Sequence, residues 1–297
     1  MVSLSTMWGA KRFPHMANFV ATAQKMGFSH VELNYDLSPP LLAQVLENGQ
    51  LPVSSIHAPC PSPPVPSGVS ASRLPLSSLE GEERRWSIDL AKATIDLAAR
   101  LGAGAIVLHM GAVGYYREEE RSLRRKIREG QPEAAEELRR YLVAERARLR
   151  LPFWQAALAS LEELVSHAQE KGVVLGLENR LYQYEIPSLE ELEEGFGRFG
   201  SDSLGYWHDV GHAEIQARSG FRPHQDWLAR LGHRIVGMHL HDVAGFSDHQ
   251  PPGRGTVDWD MIARHLPSTA LRVCEISSGE PDQVAAALPF LRQKGIL

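Results

Sequence analysis

Residues 173–178 read Val-Val-Leu-Gly-Leu-Glu, an apolar run that ends on a carboxylate. A run this short and this rich in Val and Leu suits a strand buried on both faces, the kind found in parallel sheets. Just before it, Gly172 closes an amphipathic segment, Phe153–Lys171, where a helix stops on a left-handed residue. Helix, glycine, apolar strand and polar tip form one unit, and the unit recurs.

Further apolar runs end in the same way: on His57 in SSIHAP, His109 in IVLHMG, Asp209 (with His212) in GYWHDVGH, His239 in IVGMHLHD and Glu275 in RVCEIS. Strands are expected near Val2–Met7, His30–Asn34, Val53–Ala58, Ala105–His109, Val173–Glu178, Leu204–Asp209, Ile235–His239 and Leu271–Glu275. Between them lie helix-like segments such as Met16–Met26, Glu82–Leu101 and Leu189–Phe199, two of them followed by Gly27 and Gly102. Eight such units are what a closed (β/α)8 barrel needs, and a barrel gathers side chains from several strand ends at one face. An open doubly wound sheet would carry a glycine-rich phosphate loop after its first strand. Here that turn is STMWGAKRF, with no such loop. The expected fold is therefore α/β, a (β/α)8 TIM barrel in a single domain over residues 1–297.

With 297 residues, 43% of them hydrophobic and 23% charged, the chain has enough apolar material for a sizeable core. The net charge of -5 argues against a general nucleic-acid binder, because phosphate binding rests on Lys and Arg. Cys60 and Cys274 are the two cysteines and stand far apart, so no disulfide framework is expected. Met1–Phe13 holds no long apolar leader, and no stretch approaches membrane-spanning length. A cytoplasmic protein with no membrane partner is the expectation.

Two stretches interrupt the regular spacing. Residues 59–80 are rich in Pro and Ser and form a long loop after the third strand. Residues 115–150, in which Arg and Glu alternate at helical spacing, form a charged helical insertion after the fourth strand. Both leave strand ends that carry polar tips, so both are expected to roof the site. Arg117, Arg121 or Arg124 would then meet an anionic substrate group.

A carboxylate closing an apolar strand is costly unless it is paired or bound to a metal. Glu178 and Glu275 share that position, and Asp209 and His239 stand on strands between them. Together the four make a divalent-metal set that suits Mn, Co, Mg or Zn without naming one. For Glu178 alone, a salt bridge to Arg180 is the competing reading. His212, three residues after Asp209, reads as a second ligand, a substrate contact or an orienting group. His57 and His109 read either as hydrogen-bonded structure or as additional ligands. In the loop HLHDVAGFSDHQPPGRGTVDW, which also holds His241, Asp242 and Asp258, the tight PPGRG turn aims His249 inward at substrate or metal. Glu32 and Asn34 are expected to line the site, as is Arg180. Trp8, Trp207 and Trp259 read as a sugar-binding wall or as barrel packing.

The ordered set of these motifs, from the HAP turn at His57 to Glu275, resembles the xylose-isomerase-like TIM-barrel superfamily, which includes sugar isomerases and epimerases and endonuclease-IV-type AP endonucleases. On the sugar side the resemblance implies one divalent metal held by Glu178, Asp209, His239 and Glu275, with the two glutamates as the acid/base pair and His212 on a small carbohydrate substrate. Where ketose 3-epimerases carry a substrate arginine six residues past the metal histidine, this chain has Gly245. Other isomerases, and dehydratases or lyases, therefore stay open. A non-catalytic sugar-binding barrel would tolerate loss of one glutamate, and both are present.

On the endonuclease side the resemblance implies two to three Zn held by His57, His109, Glu178, Asp209, His212, His239, a D-x-H pair and Glu275. Ser247 stands where that pair would begin, and Asp248 is one position out of register with His249. Such an enzyme needs basic loops at the barrel mouth, and residues 59–80 offer Arg73 as their one basic residue. Barrels of this kind are often homo-oligomers.

Overall fold

A computed structural model describes residues 1–47, 51–62, 75–200 and 202–297. Eight parallel strands close into a barrel: β1 (Ser3–Ser5), β2 (His30–Leu33), β3 (Val53–His57), β4 (Ala105–Leu108), β5 (Val174–Glu178), β6 (Leu204–Asp209), β7 (Ile235–His239) and β8 (Leu271–Cys274). Each lies within a residue or two of its expected bounds. Closure comes from β1 pairing with β8, Ser3 opposite Val273 and Leu4 opposite Cys274.

Helices α1 (Met16–Met26), α2 (Pro39–Glu47) and α3 (Gly81–Leu101) follow the first three strands. Gly27 and Gly102 take φ of 98° and 66° and return their N–H groups to the last helical turn, a conformation that costs a side-chain-bearing residue more than glycine. The GFGRFG sequence at 195–200 ends α6 (Leu189–Phe199) and precedes β6, the reverse order of a dinucleotide loop. The Ser188–Glu191 capping box starts that helix.

The charged stretch differs from its expected form. It folds as α4 (Arg117–Arg128) and the first half of α5 (Pro132–Lys171), a 40-residue helix that runs on through Pro152 into the barrel layer. The sequence predicts a helix beginning at Phe153, since an interior proline lacks an N–H and usually breaks a helix. Tertiary contacts override it: the buried Arg146 guanidinium donates to both oxygens of Glu191, at 3.0 and 2.7 Å, and ties α5 to α6. Leu123, Ala135 and Leu142 give the insertion a small core of its own.

Residues 63–74 of the Pro- and Ser-rich loop, Arg73 among them, lie outside the described residues. Cys60 and Cys274 are both free thiols. No helix among the described residues is long and apolar enough to cross a membrane.

The barrel interior beneath the strand ends is filled by Trp207, packed with Ala105, Val107 and Val273. A Cβ on Gly237 would come within 2.2 Å of its ring, so these small residues make room for the indole. Trp207 is thus the floor of the site, 5.2 Å centroid to centroid from His239, and not a sugar wall.

Candidate active site

Every polar tip named above projects at the C-terminal end of the barrel, where a (β/α)8 fold assembles its chemistry. Between them opens a chamber of about 170 Å3 walled by Tyr35, His57, His109, Arg180, His212, His249 and Glu275 among others. At its base Glu178, Asp209, His239 and Glu275 each present a donor atom, all within 4.8 Å of one another. His239 Nδ1 lies 2.8 Å from Glu178 Oε1, 3.3 Å from Glu275 Oε2 and 3.5 Å from Asp209 Oδ2. All four side chains are essentially inaccessible to water.

So much buried negative charge has to be balanced. Burial opposes a charge on the His239 ring, but the Glu275 and Glu32 carboxylates overcome it and hold the imidazole protonated well above its usual range. Burial likewise pushes the Glu178 carboxyl up, and the charges of His109 and Arg180 outweigh it and hold it well below the ordinary carboxylate range. Glu275 is shifted down in the same sense, burial being outweighed by His239 and His249. The Arg180 pairing with Glu178 is present, so the salt bridge and the shared donor set coexist. A field that retains a proton on His239 among three ionised carboxylates is also one that favours a divalent cation, and all-oxygen donors with one imidazole suit a hard or borderline ion.

A second layer orients these donors. Glu32 lies below the chamber, fully buried, and both its oxygens sit 3.2 Å from His239 Nε2. Its expected place in the lining is therefore corrected: the strand pleat turns it into the barrel, where it takes the Nε2–H and leaves Nδ1 facing the three carboxylates. Ser55 holds Glu32 in turn at 2.8 Å. Carboxylates that hydrogen-bond a ligating histidine typically sustain about 10–100-fold in metal affinity. Glu32→Gln is thus expected to weaken metal binding about tenfold or more, with little change in melting temperature. Titration of a chelator-stripped sample checks this, and an unchanged Kd would remove the orienting role.

Asn34 donates to Glu275 Oε1 at 3.0 Å, which places it beside the chamber as a brace. Asn179 and His241 do similar work and were not assigned it by sequence. Asn179 Oδ1 accepts the Asp209 N–H and the Tyr206 hydroxyl, each at 2.8 Å, and its backbone carbonyl faces His212 Nδ1 at 3.0 Å. His241 Nδ1 accepts the His249 N–H at 2.9 Å, so its Nε2 carries the proton and donates to Asp209 at 3.0 Å. An Asn directly after a strand-end Glu, and the HLH spacing, were the available signals. Neither spacing tells a brace from a bystander.

The remaining histidines are drawn in as well. His57 and His109 join Glu178 in a second donor cluster, and His212 and His249 join Asp248 in a third. Burial and the neighbouring His109 push His57 down to about 3, leaving it neutral and able to offer a lone pair. His249 adopts φ 53°, rare for a side-chain-bearing residue, and its ring stacks 4.2 Å from His241 with Nε2 3.3 Å from Glu275. Asp248, out of register in sequence, comes to 3.3 Å from His249 Nδ1 because this backbone turn swings it inward. Asp258 takes no place in the chamber and caps α7 (Trp259–His265) instead.

Several expected contacts do not form. Trp8 is buried and donates to the Gly279 carbonyl at 3.1 Å, while Trp259 donates to Asp242 at 3.1 Å. Each indole N–H is spent inside the fold, so neither ring faces a ligand. Arg117 reaches the Tyr182 hydroxyl, Arg124 the Leu181 carbonyl and Arg121 the exposed Glu118. Two of these arginines brace the loop after β5 and the third lies at the surface, and none of the three is among the chamber walls. Two short antiparallel pairs, Gly111–Ala112 with Glu185–Ile186 and Asp242–Ala244 with Ser247–Gln250, stiffen the loops around the mouth.

Comparison with known proteins bears on this arrangement. The family model described as xylose isomerase-like TIM barrel matches residues 20–294. An uncharacterized protein, y4fM, of Sinorhizobium fredii is 25% identical over 283 residues, which span 89% of this chain and 80% of that protein. Among solved structures, a D-tagatose 3-epimerase-like protein superposes with a TM-score of 0.69 at 17% identity, over 99% of this chain and 96% of that one. The 3-keto-D-glucoside 4-epimerase YcjR from E. coli gives 0.65 at 17% identity, with 98% of both chains covered. The D-psicose 3-epimerase from Clostridium cellulolyticum H10, with D-tagatose, gives 0.66 at 15% identity and 99% coverage of both. At these identities the likeness is one of fold.

Proposed function

Since the chain belongs to the xylose isomerase-like TIM-barrel family, we propose that it is a divalent-metal-dependent isomerase or epimerase of a sugar or related hydroxyketone. One observation carries the reading: three buried carboxylates and one imidazole, from four different strands, converge on a single point at the floor of an accessible chamber. When bound there, the ion acts as a Lewis acid on a carbonyl and its neighbouring hydroxyl. The tagatose-, psicose- and ketoglucoside-related structures noted above are sugar epimerases by name and support the choice of substrate class.

The chain's own residues carry the proton. Glu178 and Glu275 are both held ionised, and so are competent to accept it. One takes the proton from the carbon next to the carbonyl. A carboxylate then returns it to the neighbouring carbon in isomerisation, or from the opposite face in epimerisation. Arg180 and His109 clamp Glu178, while Asn34 and His249 clamp Glu275, so each carboxylate approaches the substrate from a fixed side. His212, with Nδ1 directed at a backbone carbonyl, turns Nε2 toward the chamber and a substrate oxygen.

A second reading is favoured by the two additional donor clusters, His57–His109–Glu178 and His212–Asp248–His249. With Asp248 in place of the missing D-x-H member, the site has donors for two or three zinc ions, the set of an endonuclease-IV-like phosphoesterase. Metal content per chain separates the two. About one equivalent of Mn, Co, Mg or Zn is the expected result, with proton exchange into D2O on a ketose panel as the activity. Two or three equivalents of zinc, with nicking of abasic DNA, would replace the sugar reading.

A further inference from the structure

The metal-side chamber does not end at its own walls. His109, Arg180 and Glu185 also line a second space, open to solvent and about 250 Å3 in volume. Beyond that shared edge the annex changes character: Tyr115, Tyr184, Phe153, Pro75 and Ala112 make apolar walls. Its few hydroxyls at the Ser77 end are already used. Ser77 Oγ donates to the Ala112 carbonyl at 3.2 Å and accepts its N–H at 3.0 Å, and the Ser78 hydroxyl is bound to Glu83. Tyr182 stacks on Tyr184 at 5.3 Å and Tyr115 meets Tyr184 edge-on at 5.9 Å, so the wall is a fixed aromatic surface.

A free ketose carries a hydroxyl on nearly every carbon, and burying hydroxyls against such walls without partners is unfavourable. We propose that the annex is a subsite for an apolar, ring-bearing arm, so that the substrate is a hydroxycarbonyl sugar conjugated to an aryl group. The identity of the head group rests on the isomerase or epimerase reading above; the apolar arm rests on the annex alone. Ala112 and Phe153 are the specificity-determining positions, one on the hairpin beside Glu185 and one on α5, half-exposed, where a polar replacement keeps the helix.

The test is calorimetric binding of paired phenyl and methyl glycosides of several hexoses and their keto forms to the metal-loaded protein. Each phenyl member that binds is expected to do so about tenfold or more tighter than its methyl partner. Ala112→Phe and Phe153→Glu are each expected to erase that advantage while leaving the circular dichroism spectrum and the affinity for the methyl members unchanged. The absence of a phenyl advantage in every pair, including pairs that do not bind, overturns the annex assignment. So does an advantage that both variants leave intact. Deuterium exchange on free ketoses, measured in the same samples, keeps the two readings apart. Exchange without a phenyl advantage removes the annex and keeps the isomerase reading; a phenyl advantage without exchange on any member does the reverse.

Discussion

Glu275→Gln is expected to lower kcat for substrate proton exchange by about 10²–10⁴-fold, the range a positioned acid/base group supplies. The amide keeps the shape and can still accept from Asn34, which now reaches Glu275 Oε1 at 3.0 Å, so the fold should persist with an unchanged circular dichroism spectrum. Glutamine cannot take a proton from carbon. Because Glu275 is also in the donor set, metal occupancy has to be measured on the same sample and the assay run at saturating metal. Activity within a few-fold of the parent protein at full occupancy would remove Glu275 from the proton-transfer pair. Glu178→Gln should behave in the same way with one difference. It removes one of the two carboxylates paired with buried Arg180, the other being Glu185 at 3.4 Å, so a modest loss of stability is expected alongside the loss of turnover.

Asp242→Ala is expected to cost about 3–5 kcal/mol of stability, and through it the alignment of His249. The buried Asp242 carboxylate accepts the N–H groups of Val243, Gly253 and Val257 and the indole N–H of Trp259, at 2.9 to 3.1 Å. It is the post around which residues 242–259 wind, and that loop carries His249 and Asp248 into the chamber. For a chain of this size the loss corresponds to a fall of roughly 10 °C in Tm. Asp242→Asn, which keeps one good acceptor, should fall between the two. A melting temperature within a degree or two of the parent for Asp242→Ala would mean that the PPGRG turn and the short hairpin hold the loop without it.

The barrel could be read from the chain because its determinants are local and repeated. Apolar runs of four to six residues, left-handed glycines after three helices and polar strand tips are each visible in a short window. Parallel closure then brings those tips to one end whatever their spacing in sequence, which is why Glu178, Asp209, His239 and Glu275 could be grouped in advance. Glu32 illustrates where that reasoning runs out. Its strand was correctly placed, yet whether its side chain faces the chamber or the barrel interior depends on pairing register. A one-residue shift reverses the answer.

Sequence alone determined the eight-stranded barrel, the face on which its chemistry sits and the strand-end donors, because strand periodicity and helix stops are encoded between near neighbours. Tertiary structure decided which polar residues meet at the shared donor point, which brace them and which pack. It turned Trp8, Trp207 and Trp259 inward, tied Arg117 and Arg124 to the β5 loop, set Glu32 behind His239, and brought His249 to Glu275. It also opened an apolar annex between a hairpin and a helix some forty residues apart in the chain. Each of those outcomes depends on which donor finds which acceptor across the folded molecule, and that pairing is settled by burial and register between segments distant in sequence.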